Sequence, residues 1–201
     1  MAFFKAQDLR NRGERIIRSS RRTRIGSFSR AVENFSTILN ESKEPNPFEE
    51  FDIFLSHSYN DKALVVGLRA EIINAGFSVY VDWIDDPQLD RANVSRDSVK
   101  LVRTRMMYCK SMIYAFSDNA ASSIWMPWEL GFMDGVKEKV TILQINEISE
   151  NNKINYEGRE YLKLYKILDL SNGNLLVKSN NSNNITAYRE WLGGMDPGTV
   201  F

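Results

Sequence analysis

Five short apolar runs, each followed by a stretch of helical period, constrain this chain more than any other feature. The runs are Phe51-Asp52-Ile53-Phe54-Leu55, Phe77-Ser78-Val79-Tyr80-Val81, residues 111–116, residues 140–145 and residues 166–170. Runs of this length that do not alternate with polar residues suit strands buried on both faces. Between the first two lie Ala63, Leu64, Leu68, Ile72 and Ile73 at helical spacing, stopped by Gly76. Ser95 is placed to cap a helix through Tyr108, with Val99, Val102 and Met106 inward. Pro127 belongs in a first helical turn, because it lacks an N–H and its ring clashes with a preceding turn. A third helix therefore opens near it, with Ser122 or Ser123 as its cap. Strand–helix alternation of this kind predicts an α/β fold. We expect a flavodoxin-like open parallel sheet of five strands with helices on both faces, residues 166–170 forming an edge-like strand. Residues 146–160 are polar, with a short helix expected near Tyr161. Residues 185–193 read as a last helix.

The chain has 201 residues, 43% of them hydrophobic, enough for one domain and an extra segment. Its net charge is zero but unevenly spread. The first thirty residues hold nine Lys/Arg and two acids, and the remaining 171 hold 17 and 24. Residues 1–47 are thus expected to be a basic N-terminal helical arm, and residues 48–201 the main domain. The arginines from Arg10 to Arg24 recur without a clean apolar stripe. Phe28, Val32, Phe35, Ile38 and Leu39 predict an amphipathic helix over 28–40, ended by Pro45 and Pro47. A transit peptide, a basic patch for nucleic acid or anionic lipid, a self-assembly helix and a helix packed on the main domain are the readings open for this arm. Nucleic acid is disfavoured, because no aromatics interleave with the arginines. Cys109, the one cysteine, cannot form an intramolecular disulfide and reads as a small core residue. With no apolar run near the roughly 20 residues of a membrane span, and no signal peptide, a cytoplasmic protein is expected.

In open α/β sheets ligands bind beyond the carboxyl ends of the strands. There the chain places Ser56-His57-Ser58-Tyr59, Asp82-Trp83-Ile84-Asp85 and Ser117-Asp118-Asn119, and Glu129 opens the helix that leaves the third set. All four sets should converge on one edge. No Gly-rich phosphate loop is present, and one His with one Cys makes no zinc site. His57 between two serines invites a catalytic reading, but there is no nucleophile elbow, and a loop histidine bonded to backbone is the alternative. Glu129, beside Trp125 and Trp128, could stabilise the oxocarbenium-like ribose formed when an N-glycosidic bond breaks. The alternative is a glutamate that serves only the helix dipole. One of the two tryptophans is expected to pack against the sheet.

The run Phe54-Leu55-Ser56-His57-Ser58 with Asp61, then Phe77 to Asp82, then Ser117-Asp118-Asn119 through Trp125 and Glu129-Leu130-Gly131, resembles a bacterial Toll/interleukin-1 receptor (TIR) domain over roughly residues 48–170. The resemblance implies the fold already argued and an enzyme that cleaves NAD+ at the nicotinamide–ribose bond. NAD+ is then a substrate, with no resident cofactor and no metal. The products implied are linear, cyclic or conjugated ADP-ribose. Glu129 matches the family's catalytic glutamate and Trp125 the aromatic bordering the pocket. Ser56, His57 and Ser58 match the loop beside nicotinamide and phosphates, with Asp82, Trp83 and Ser117 as further substrate-binding candidates. Residues 82–94 match a loop that mediates assembly, though without the usual basic-Pro-Gly pattern. Short proteins of this kind resemble those of Thoeris-like anti-phage defence. That implies a homo-oligomer built through TIR–TIR contacts and a downstream effector reached through a nucleotide product. Two competing readings are a non-enzymatic TIR adaptor and a deoxyribosyltransferase-like enzyme.

Overall fold

The computed structural model describes residues 4–22, 46–89, 95–146, 156, 158–171, 173–179 and 183–197. A two-residue strand β1 (Phe4–Lys5) runs into helix α1 (Ala6–Arg22). The main alternation follows with β2 (Phe51–Ser56), α2 (Lys62–Asn74), β3 (Val79–Tyr80) and the one-turn α3 (Asp82–Asp85). Then come α4 (Arg96–Met107), β4 (Cys109–Phe116), α5 (Trp125–Lys137) and β5 (Val140–Asn146). The chain ends with β6 (Lys166–Ser171), β7 (Asn174–Lys178), β8 (Ile185–Ala187) and α6 (Tyr188–Leu192). The helix expected over 28–40 lies outside the described residues. No helix among the described residues is long and apolar enough to cross a membrane.

The five expected strands all form and pair in parallel, in the order β3-β2-β4-β5-β6. The sheet is wider than expected, however. β7 and β8 continue it antiparallel beyond β6, so β6 is internal rather than an edge. β1 adds a short parallel pairing beyond the expected sheet, Phe4 opposite Ile145. β7 follows a turn in which Gly173 takes a φ of 77°, a conformation that favours glycine. Ile185–Ala187, expected as the start of the last helix, form β8 instead. Helix α6 begins only at Tyr188.

The period of two along each strand sends alternate side chains to opposite faces. Ile53 and Leu55, Ile113 and Ala115, and Leu143 and Ile145 pack with α1, α2 and α6. Phe54, Met112, Tyr114, Val140 and Ile142 pack with α4 and α5. Cys109 is buried at the start of β4, as expected of a core thiol, and burial pushes its pKa well up. Ser95 caps α4 in a reciprocal capping box with Ser98, which fixes the start of that helix where the sequence placed it.

The arm's first helix is packed on the main domain. An apolar stripe runs through Ala6, Leu9, Gly13 and Ile17, with Ile16 alongside. The stripe is easily missed, because its centre is a glycine. Gly13 and Gly67 let α1 and α2 touch backbone to backbone. A methyl group on Gly13 would overlap the Ala63 carbonyl, and one on Gly67 the Leu9 carbonyl. Arg12 pairs with Glu71 across the same contact. With α1 on its outer side, α2 is buried from Leu64 through Arg69, as a helix apolar on most sides must be. Ile73, expected inward, is exposed.

Candidate active site

The segment after β2 is short and polar because it leaves the sheet at its carboxyl edge. Ser58 accepts a hydrogen bond from Asn60 N and caps a single 3-10 turn, Tyr59–Asp61, that feeds α2. Asp61 is buried and accepts hydrogen bonds from Ser117 Oγ and from Asn119 Nδ2 at 2.6 Å. This ties the loop after β2 to the loop after β4. Ser117 is thereby turned toward Asp61.

Helix α5 begins at Trp125, with Ile124 at its cap position. The side chain that serves the helix start is Ser123, one residue earlier, which accepts from Met126 N at 3.3 Å. Pro127 falls in the first turn, as its missing N–H requires. One side of α5, formed by Met126, Leu130 and Met133, faces the core. Neither tryptophan joins a core cluster, contrary to expectation. Trp125 and Trp128 meet edge to face at 5.6 Å, and Trp128 stacks on Phe132. Glu129 stands one turn after Trp125 and is completely buried. Ser56 Oγ donates to Glu129 Oε2 at 2.6 Å, joining the end of β2 to the first turns of α5.

Beside this pair is a cleft of about 380 Å³. One wall is His57, Ser58, Tyr59 and Asn60, the second is Asp82, Trp83 and Leu89, and the third is Ser122 through Trp125. Of the expected site residues, His57, Ser58, Asp82, Trp83 and Trp125 line this one cleft. Ser56 and Glu129 lie behind its wall, and Ser117 is bonded to Asp61 instead. The acid is therefore deeper than its place at a helix start suggests. Asn60, Leu89 and the stretch Ser122–Ile124 were not singled out as cleft walls, for they carry no motif of their own. A larger hollow of about 880 Å³ lies along the outer side of α4, between Phe48 and Phe132. Among the described residues it is lined by Arg96, Lys100 and Arg103 and by no carboxylate, so the carboxylates described here belong to the smaller cleft.

His57 is held at both ring nitrogens. Nδ1 lies 2.9 Å from the Leu55 carbonyl, and Trp83 Nε1 donates to Nε2 at 2.8 Å. A donor at Nε2 requires the tautomer with its proton on Nδ1. Asp82 Oδ1 stands 3.5 Å from the same Nε2. The backbone bond expected of a loop histidine is present, together with an indole partner from a second wall.

The wall that carries Asp82 and Trp83 is anchored on both sides of the sheet. Arg69 of α2 donates to Asp85 at 2.8 Å, and Val81 N donates to the same carboxylate at 2.6 Å. Burial raises the Asp85 pKa to about 6, against the pull of Arg69. On the opposite face Arg105 of α4 grips Asp86 through two bonds of 2.7 and 2.8 Å, and Tyr80 OH donates to Asp86. Burial, reinforced by Asp86 and Asp82, pushes the Tyr80 phenol well above its ordinary pKa. Two buried arginine–carboxylate pairs thus fix the one-turn α3. A third arginine braces the wall before α5. Arg159 donates to Tyr114 OH at 2.7 Å and to the carbonyls of Ala121 and Ser123. Burial pushes the Tyr114 phenol up to about 12.

No protein-family model matches the chain. Two curated proteins are similar to it. ThsB' of Bacillus cereus (strain MSX-D12), named as a 3' cyclic ADP-D-ribose synthase, is 37% identical over 198 residues, which cover 96% of this chain and 98% of that protein. The chain belongs to the Thoeris-type TIR family. TIR2 of Cytobacillus dafuensis, named as a cyclic ADP-D-ribose synthase, is 24% identical over 111 residues, which are 55% of this chain and 29% of that protein. The parallel order β3-β2-β4-β5-β6, flanked by helices on both faces, is the TIR architecture that this membership requires.

Proposed function

We propose that this TIR protein cleaves NAD+ at the nicotinamide–ribose bond and closes the remainder into a cyclic ADP-ribose signal. The observation that carries the reading is the Ser56–Glu129 pair beside a cleft walled by Trp125, His57 and Trp83. The similarity to ThsB' over nearly its whole length supports the cyclic product.

Breaking the bond sends its electron pair to nicotinamide, which leaves as a neutral base, and positive charge develops on the ribose. A fixed carboxylate next to that sugar stabilises the charge without reorganising. Glu129 takes this role and Trp125 stacks on a ring of the substrate. Ser56 donates to one oxygen of Glu129 and so holds the buried acid in place for the ribose. His57, Ser58, Asp82 and Trp83 border the bound substrate. Ser117 acts indirectly, by holding Asp61 and the loop it begins. NAD+ is substrate, and the reaction needs no resident cofactor.

The signal is read by a separate effector in anti-phage defence in the cytoplasm, and the enzyme acts as a homo-oligomer. Incubation with NAD+ followed by mass spectrometry tests the reading. The wild type is expected to release nicotinamide and a product one water lighter than ADP-ribose. Glu129→Gln should lower the rate by at least about a hundredfold. A wild type that leaves NAD+ intact as a monomer and as an oligomer would overturn it. The full burial of Glu129 favours one second reading, a TIR adaptor in which that acid only braces α5. An inert protein that still associates with other TIR domains would support the adaptor.

A further inference from the structure

We propose that Lys62 binds the diphosphate of the substrate at the mouth of the cleft, an inference that rests on the reading of NAD+ as substrate. Lys62 is the first residue of α2, one turn beyond Tyr59. Its ammonium donates to Tyr59 OH at 2.9 Å and lies 4.1 Å from the centre of the Tyr59 ring. It also stands 5.8 Å from the centre of the Trp83 ring. Tyr59 and Trp83 come from two different walls of the cleft. Two aromatic faces therefore hold one cation where those walls meet. Ring faces attract an ammonium but do not neutralise it.

The charge around the cleft calls for such a group. Its interior is acidic, with Asp82 in the wall and Glu129 behind it. A diphosphate approaching those carboxylates is repelled unless a cation meets it first. Among the described residues, three further cations in the segments around the cleft are committed. Arg69 and Arg105 are buried on Asp85 and Asp86, and Arg159 is turned to Tyr114 and to the carbonyls of Ala121 and Ser123. An ammonium has three donors, and Tyr59 takes one of Lys62's, leaving two for phosphate oxygens. In a dinucleotide the diphosphate lies one ribose away from the bond that breaks.

Calorimetric titration of the full chain tests this with two probes, ADP-ribose and nicotinamide riboside, which lacks the diphosphate. Lys62→Met keeps the apolar stem over the rings and removes the charge. It should weaken ADP-ribose binding about tenfold and flatten its salt dependence, while nicotinamide riboside is unaffected. Lys62→Arg should restore most of the loss. In turnover the same change should appear in KM for NAD+ rather than in kcat. Unchanged ADP-ribose affinity in Lys62→Met, or an equal loss for both probes, overturns the proposal. So does a wild type that binds neither probe. If ADP-ribose binds through Lys62 but NAD+ is never cleaved, the enzymatic reading fails and the diphosphate site stands. If NAD+ is cleaved and Lys62→Met behaves as wild type, only the diphosphate site fails.

Discussion

Ser56 and Glu129 show how one hydrogen bond can tie catalysis to stability. Each is almost fully inside the protein, and each is the other's partner at 2.6 Å. Ser56→Ala withdraws a donor from a buried carboxylate, which costs about 1–3 kcal/mol of stability. The variant should unfold at lower denaturant with an unchanged slope. It should also lose about tenfold or more in kcat/KM for NAD+, because the acid is no longer held for the ribose. Asp52 supplies a pH-dependent term far from the cleft. Burial opposes its ionisation, but hydrogen bonds from Lys110 and Ser78 outweigh that and hold its carboxyl below the ordinary 3.8. Its stabilising contribution is therefore present above pH 3.8 and lost as the pH falls through the lower folded value. Asp52→Asn should flatten the acid limb of the stability curve, read from urea midpoints between pH 5 and pH 2.

At the scale of elements, the least forgiving contact is that of α1 with α2. Gly13 and Gly67 bring the two backbones so close that no side chain fits at either position. Gly13→Ala should separate the helices at a cost on the order of 2 kcal/mol, lowering Tm by about 5 °C. Proteolytic cleavage within residues 6–22 should rise with it. Gly131 and Gly135 on α5 have open space around them. Gly135→Ala should leave Tm unchanged or raise it slightly, since alanine is the better helix former. The pair of variants separates a packing role from a general intolerance of alanine.

For the whole molecule, both apolar clusters share the same seven-stranded path, and α1 enters the first of them through Ala6, Leu9 and Ile17. A core shared in this way should melt as one unit. Far-ultraviolet circular dichroism and tryptophan fluorescence should give coincident thermal transitions. An early fluorescence change would instead show the cleft, where Trp83 and Trp125 stand, opening ahead of the sheet.

Much of this was open to reading along the chain because it depends on neighbours in sequence. Apolar runs fixed the five parallel strands, Ser95 fixed the start of α4, and Pro127 fixed the start of α5. Strand ends brought His57, Asp82 and Trp125 to one edge, since a parallel sheet sends every strand's exit to the same side. The Asn172-Gly173 pair was a turn signal that could have announced β7. Other features required the folded chain. The burial of Glu129, the Trp83 bond to His57 and the arginine pairs that hold α3 join residues 16 to 73 positions apart. The stripe on α1 looks broken in sequence, because its central residue is a glycine whose value lies in lacking a side chain. Local pattern sets which segments become strands and helices. Only their packing decides which polar groups are shut away together, and that selection makes the site.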